Sequence, residues 1–302
     1  MAMKVDWLRG CATALVTPFQ ADGSIDEPSL RKLVDYQISG GVKLLIPCGT
    51  TGESATTSEA EDQRIIKIVL QQANGRAKVI AGTGSNSTSS AVQYTRDAAR
   101  LGCDGALVVA PYYNKPTQSG MLAHFKAVAD AAPNLPIVLY NVPGRTGCNM
   151  FPATTLQLAN EVRNVAAVKE ASGDIGQIGT ILRNRPEHFA VLSGDDAMTF
   201  PLMALGAEGV VSVASNEAPR LMSELCELCL QGEWQNARQL HFKLQPLMEA
   251  NFIESSPGPV KAALEMIGVI QEHLRLPLVP VSDPTRVRLE TLLKELGLYN
   301  SV

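Results

Sequence analysis

Lys169 closes an apolar run, VAAVKE, where a strand-end lysine would face a barrel interior or its rim. An ammonium held there loses hydration, which favours the neutral amine. A neutral amine attacks a ketone and yields an iminium, an electron sink for carbon–carbon chemistry. Plainer uses exist for such a lysine: snorkelling to solvent, or pairing with Glu170. Three further features stand at the ends of comparable runs. GTTGES (49–54) is a glycine-bracketed turn feeding a helix expected to start near Ser58. Backbone N–H groups in such a turn can cradle a carboxylate, and the hydroxyls of Thr50 and Thr51 add donors. Tyr140 can carry a proton. Arg145, in the tight VPGRTG loop, offers a fork for a second carboxylate. Each alone has a structural reading: a common turn, a packed tyrosine, a surface arginine. Together they supply a nucleophile, a carboxylate cradle, a proton carrier and a second anion clamp, a set that packing does not explain.

These groups share a position, and that position predicts the elements behind them. Short β-rich runs begin at Ala12, Lys43, Lys78, Gly105, Pro136, Val165, Phe189 and Gly209, with stretches of helical periodicity between them. That alternation argues for βαβ units and a parallel sheet. The spacing of roughly 20–35 residues suits one βα repeat. Eight units predict an α/β fold, a (β/α)8 TIM barrel over 1–216, in which reactive groups stand at the C-terminal strand ends. An open doubly wound sheet is the rival, but no GxGxxG follows the first run. Residues 217–302 read as the last barrel helix plus an added C-terminal helical segment, not an independent domain. By this reading Thr50 and Thr51, Tyr112 and Tyr113, Tyr140 and Asn141, Lys169, Gly194 to Asp196, and Val211 and Ser212 all ring one mouth.

Composition narrows the function. The chain has 302 residues, 45% of them hydrophobic, and a net charge of −4. It therefore carries no electrostatic footprint for nucleic acid or an anionic membrane. No apolar stretch suits a spanning helix, and MAMKVDWLRG lacks the apolar core of a secretory signal, so a cytoplasmic protein is expected. The six cysteines are expected to be reduced thiols. Cys226 and Cys229 form a CxxC without a second CxxC or a nearby His, so two small apolar residues one helical turn apart is the simpler reading than a half zinc site or redox pair. His124, His188, His241 and His273 fall away from the strand ends and receive no catalytic role. Asp195 and Asp196 are expected to cap the helix that follows them.

GTTGES, YYNKP, YNVPGRTG, VKEASG and SGDD, in this order and spacing, resemble the dihydrodipicolinate synthase family, from about Gly10 to the C-terminus. The wider pyruvate-dependent aldolase superfamily, which includes N-acetylneuraminate lyase, shares the lysine and the GTTGE-type turn. The resemblance implies that Lys169 forms an imine and then the enamine of pyruvate. It implies that Thr51, Tyr140 and Tyr113 form a proton relay, Tyr113 coming from a neighbouring subunit. Thr50 and Thr51 would hold the pyruvate carboxylate. Arg145 would bind L-aspartate 4-semialdehyde, and Gly194 and Val211 would place backbone groups near the nucleophile. The implied product is 4-hydroxy-tetrahydrodipicolinate, on the route to diaminopimelate and lysine. No metal or organic cofactor is implied, and the family's usual assembly is a homotetramer, a dimer of dimers.

Members of the family inhibited by lysine carry particular side chains in an inter-subunit effector pocket. Ser54, Ala55, Asn86 and Tyr112 match that pattern. Glu59 and Asp62 stand where the sensitive type has histidines, and Ser90 where it has a glutamate that grips the ligand's amine. Weak or absent inhibition by lysine is expected, unless Glu59 or Asp62 attracts the amine instead. Two other functions remain open at this point. A sialic-acid or keto-deoxy sugar-acid lyase would want hydroxyl partners where Arg145 stands. A catalytically silent binding barrel would have no need of a buried amine.

Overall fold

The computed structural model describes residues 3–299. Eight strands, β1 (Gly10–Ala14), β2 (Leu44–Ile46), β3 (Lys78–Gly82), β4 (Gly105–Val109), β5 (Ile137–Asn141), β6 (Val165–Glu170), β7 (Ala190–Ser193) and β8 (Gly209–Ser212), pair in chain order as a closed barrel. The closing contact is parallel, with Gly10 opposite Gly209. It rules out the open sheet. It also explains the glycine at 209, where a Cβ would sit 2.0 Å from the Gly10 carbonyl oxygen.

Side chains alternate across each strand, because successive Cβ atoms leave opposite faces. In β2, Leu44 and Ile46 enter the barrel interior beside Ala12, Leu107, Val138 and Leu192. Leu45, between them, joins the outer layer with Leu33 and Ile66 from the surrounding helices. Burying each such Leu or Ile stabilises the fold by about 1.5–3 kcal/mol.

β6 breaks this alternation. Ile137 of β5 pairs with Val165, but Val138 pairs with Ala167, so Ala166 is an extra residue on β6. Ala166 and Ala167 both face the interior cluster. Val165 and Val168 both face the outer layer. An extra residue of this kind resets which side the following side chains take. Lys169 is therefore directed into the barrel and Glu170 to the layer outside it.

The helix Glu59–Ala73 starts where the sequence places it. Ser58 caps it, accepting from the Glu61 N–H, and the Glu61 side chain returns the bond to the Ser58 N–H. Helix Pro219–Leu230 completes the eighth βα unit. Helices Trp234–Ala250, Gly258–Met266 and Asp283–Glu295 form the added segment, sharing a cluster that includes Leu247, Ala263, Leu289 and Leu293. Cys226 and Cys229 are buried in helix Pro219–Leu230 as free thiols. A hydrogen bond with Cys11, then burial, push the Cys226 thiol well up. Burial pushes Cys229 to about 11. Both pack in the outer apolar layer, in keeping with two small apolar residues one helical turn apart. Among the described residues no helix is long and apolar enough to cross a membrane.

Candidate active site

The C-terminal mouth of the barrel opens into a cavity of about 470 Å³ that reaches Thr50, Thr51, Tyr112, Tyr140, Arg145 and Lys169. A smaller adjoining cavity of about 170 Å³ shares Thr50, Thr51, Tyr140, Arg145 and Lys169, and adds Gly194 and Phe252. A cavity of about 480 Å³ also lies at the opposite end, beside Trp7, Lys43, Arg76 and Lys78. Only the C-terminal mouth gathers an inward amine, a phenol and a turn rich in donors.

Lys169 is 5% exposed and Tyr140 6%. They are register partners on β6 and β5, and the Lys169 Nζ lies 4.1 Å from the centre of the Tyr140 ring. Gly194, at the end of β7, makes room for the lysine. A Cβ there would come within 2.7 Å of Ala171 Cβ and 3.0 Å of Lys169 Cε. Behind the lysine, the buried carboxylate of Glu170 accepts from Asn141 Nδ2 at 3.1 and 3.2 Å and from the Ser172 N–H at 2.9 Å. Gln177 Nε2 adds a longer bond at 3.4 Å. Burial pushes the Glu170 carboxyl up, and these donors oppose that push. The pairing of Lys169 with Glu170 considered from sequence is absent. The two side chains leave β6 on opposite faces.

The turn after β2 presents its donors to the same space. The Gly52 and Glu53 N–H groups close the turn on the Gly49 and Thr50 carbonyls, at 3.1 Å each. Among the described residues, the Thr50 and Thr51 N–H groups have no backbone acceptor. Thr51 is buried and Thr50 exposed. Both residues line the two mouth cavities, and free N–H groups in a turn of this kind can hold a carboxylate. Arg145 is exposed on the short helix Pro143–Thr146, across the mouth. The Thr146 carbonyl accepts from the Tyr113 N–H at 3.2 Å, which joins the Arg145 loop to the tyrosine loop.

Comparison with known proteins decides the family. The family model described as Dihydrodipicolinate synthetase family matches residues 7–296. The 4-hydroxy-tetrahydrodipicolinate synthase of Acidobacterium capsulatum is 54% identical over 292 residues, covering 96% of both chains. The chain belongs to the dihydrodipicolinate synthetase family. Two solved structures of dihydrodipicolinate synthases superpose closely. The chloride-inhibited enzyme of Acinetobacter baumannii, complexed with pyruvate, matches with a TM-score of 0.94 at 43% identity, over 96% of this chain and 99% of that one. A monomeric dihydrodipicolinate synthase variant matches with a TM-score of 0.94 at 46% identity, over 96% and 97%.

Within this dihydrodipicolinate synthetase fold, several expected residues take distinct places. Tyr113 is 88% exposed, has φ 71°, and does not line its own chain's cavity. Val211 lies deeper, in the interior cluster with Tyr140 and Leu192, whereas Val213 lines the mouth. Ser54, Ala55, Glu59, Asp62 and Tyr112 do line the larger cavity. Asn86 and Ser90 do not line it. Ser90 N–H instead donates to Ser87 Oγ at the start of its helix. Asp62 Oδ1 accepts from Thr57 Oγ1 at 2.6 Å, and burial pushes the carboxyl up.

The two acids of SGDD divide their work. Asp195 caps as expected, accepting from the Ala197 N–H at 2.9 Å. Asp196 departs from the capping expectation. It turns inward and accepts from the N–H groups of Val213 and Ala214, at 3.0 Å each, fixing the exit of β8 to that of β7. Burial pushes its carboxyl up, against those bonds. Phe252 and Ser256, from the C-terminal segment, also line the mouth. Nothing in their local pattern marks them, because they meet the site only when that segment folds back onto the barrel.

Proposed function

We propose that the protein condenses pyruvate with L-aspartate 4-semialdehyde to give 4-hydroxy-tetrahydrodipicolinate. The observation that carries this reading is the inward Lys169 beside Tyr140, in a mouth that Thr50 and Thr51 also line. The Lys169 amine adds to the pyruvate ketone, and loss of water leaves the iminium. Loss of a methyl proton gives the enamine, whose carbon attacks the semialdehyde aldehyde. The semialdehyde's own amine then displaces Lys169 and closes the ring. One water is released overall and the amine is regenerated.

Each neighbouring group has a task in this sequence. Thr50 and Thr51 hold the pyruvate carboxylate. Tyr140, with Thr51, moves the proton lost from the pyruvate methyl carbon and the one gained by the aldehyde oxygen. Arg145 receives the carboxylate of the semialdehyde, while Gly194, just after β7, and Val211, on β8, supply backbone groups on the nucleophile's side of the barrel. Tyr113 completes the relay from a neighbouring subunit, in a homotetramer; its exposure in the single chain supports that placement. The imine route on Lys169 calls for no metal or organic cofactor. A cytoplasmic location accords with the free cysteines.

Borohydride reduction in the presence of pyruvate tests the reading, with mass spectrometry of the peptide that carries Lys169. A reduced adduct on Lys169, lost in Lys169→Ala, is the expected result. A coupled assay then offers pyruvate with aspartate semialdehyde against pyruvate with N-acetylmannosamine. Turnover of the second pair alone would reassign the protein as a sugar-acid lyase. Absence of any adduct would leave a binding barrel.

A further inference from the structure

The turn that presents Thr50 and Thr51 holds a backbone shape that side chains rarely adopt. Cys48 and Glu53, on either side of the two threonines, both have φ 57°. A non-glycine residue stays in the left-handed region only when its surroundings over-determine it. For Glu53 those surroundings come from the far end of the chain. Its side chain is fully buried and ion-paired with the equally buried Lys261, on helix Gly258–Met266. Its Oε2 also accepts from the Arg275 N–H at 3.1 Å, across 222 positions of sequence.

Lys261 is held in turn. Its Nζ donates to the His273 carbonyl at 2.7 Å and lies 4.4 Å from the centre of the Phe19 ring. Burial pushes this amine down to about 8, although Glu53 pulls the other way. Arg275 packs on the same Phe19 ring at 4.4 Å and donates to the Thr56 carbonyl at 2.8 Å, just past the turn. On the inner side, the Gly52 carbonyl accepts from Thr17 Oγ1 at 2.7 Å. The turn is thus clamped at 52, 53 and 56, and two of those clamps belong to the C-terminal segment. A buried ion pair is a poor source of stability, since apolar side chains of similar volume often serve as well. What it supplies beyond apolar packing is direction, fixing where a carboxylate and the backbone that carries it must lie.

We propose that the Glu53–Lys261 ion pair is a positioning device that aims the Thr50 and Thr51 N–H groups at the pyruvate carboxylate, so that the C-terminal helical segment sets pyruvate affinity. This rests on the reading that the 49–54 turn is the pyruvate cradle. Lys261 and Glu53 touch no substrate; they act through the turn.

Steady-state kinetics of Lys261→Met and Glu53→Gln in the full chain, with folding checked by circular dichroism, test the proposal. The first variant removes the ammonium. The second keeps the side-chain shape and one acceptor oxygen, but removes the charge and turns an NH2 donor towards either Lys261 or the Arg275 N–H. A rise in pyruvate KM of about ten-fold or more is expected in each variant that folds, with the semialdehyde KM unchanged and kcat at saturating pyruvate within about three-fold. A folded variant with an unchanged pyruvate KM would overturn the proposal. So would an equal loss in both substrates, which marks a merely structural role. Wild-type protein that forms no borohydride adduct with pyruvate would instead sink the functional reading beneath it. A normal wild-type adduct with insensitive variants would sink this inference alone.

Discussion

Lys169 stands directly across from Tyr140 on the neighbouring strand, with its Nζ 4.1 Å from the centre of the tyrosine ring. Both side chains are buried, so the pair keeps this geometry without help from solvent. Replacing the phenol by phenyl keeps the packing and removes the proton carrier. Tyr140→Phe should therefore lower kcat by about 10²–10⁴-fold while pyruvate adduct formation remains detectable by borohydride trapping. Near-normal turnover would take Tyr140 out of the relay.

Gly194 sets the space into which Lys169 folds. An alanine methyl would press on Ala171 Cβ at 2.7 Å and on Lys169 Cε and Cγ at 3.0 and 3.1 Å. Gly194→Ala should displace the amine and lower kcat/KM for pyruvate on the order of 10²-fold. Overpacking should also cost about 1–3 kcal/mol of stability, readable from chemical denaturation. Unchanged kinetics would mean that the lysine reaches its ketone by another path.

Arg145 lies at the exposed rim, on a different loop from the Thr50–Thr51 turn. Losing a charge-assisted clamp there costs about 1.5–3 kcal/mol of binding. Arg145→Ala should raise the semialdehyde KM by about ten- to a hundred-fold and leave the pyruvate adduct intact. If it blocks pyruvate instead, the two carboxylate sites are exchanged.

Lysine should inhibit weakly or not at all. Ser90 brings no carboxylate for the ligand's amine. Asp62 is already engaged by Thr57. Initial rates with millimolar L-lysine check this, and strong inhibition would assign the gripping role to Glu59 or Asp62.

His124 makes a stability prediction away from the site. Burial pushes its imidazole down to about 4, from 6.5. Its Nδ1 lies 3.0 Å from Thr88 Oγ1, and its buried Nε2 has no partner among the described residues. Between those two values the unfolded chain binds a proton that the folded chain refuses. The folded state therefore loses stability as pH falls from about 6.5 towards 4, by at most about 3 kcal/mol from this group. His124→Gln should flatten the unfolding free energy across that window. A slope equal to that of the wild type would remove His124 as its source.

Much of the site was legible before any coordinates. Lys169, Tyr140, Arg145 and the 49–54 turn each end or follow an apolar run of strand length, and a parallel barrel brings all such ends to one face. Glu59 starts its helix as expected because its capping box is local, written within Ser58 to Glu61. What the sequence does not mark are residues whose neighbours lie far along the chain. Asp196 reads as a cap beside Asp195, yet it bonds Val213 and Ala214 at the next strand's exit. Phe252 and Ser256 lie in the turn between helices Trp234–Ala250 and Gly258–Met266, and Lys261 on the second helix, where the local pattern says only that the segment packs. Their meeting with Thr51 and Glu53 depends on how the C-terminal segment crosses the barrel.

From its order of residues alone, the chain determines eight βα units, the mouth at which they end, and the types of group placed there. Those follow from periodicity and from strand-to-helix alternation, which are local properties. The direction of Lys169 is different in kind. Plain alternation from the outward Val165 would send position 169 outward as well. The extra residue, Ala166, reverses that by letting Ala166 and Ala167 both face inward. An inserted residue of this sort appears only when β6 is paired against β5, because it is a mismatch between two strands and not a property of either one.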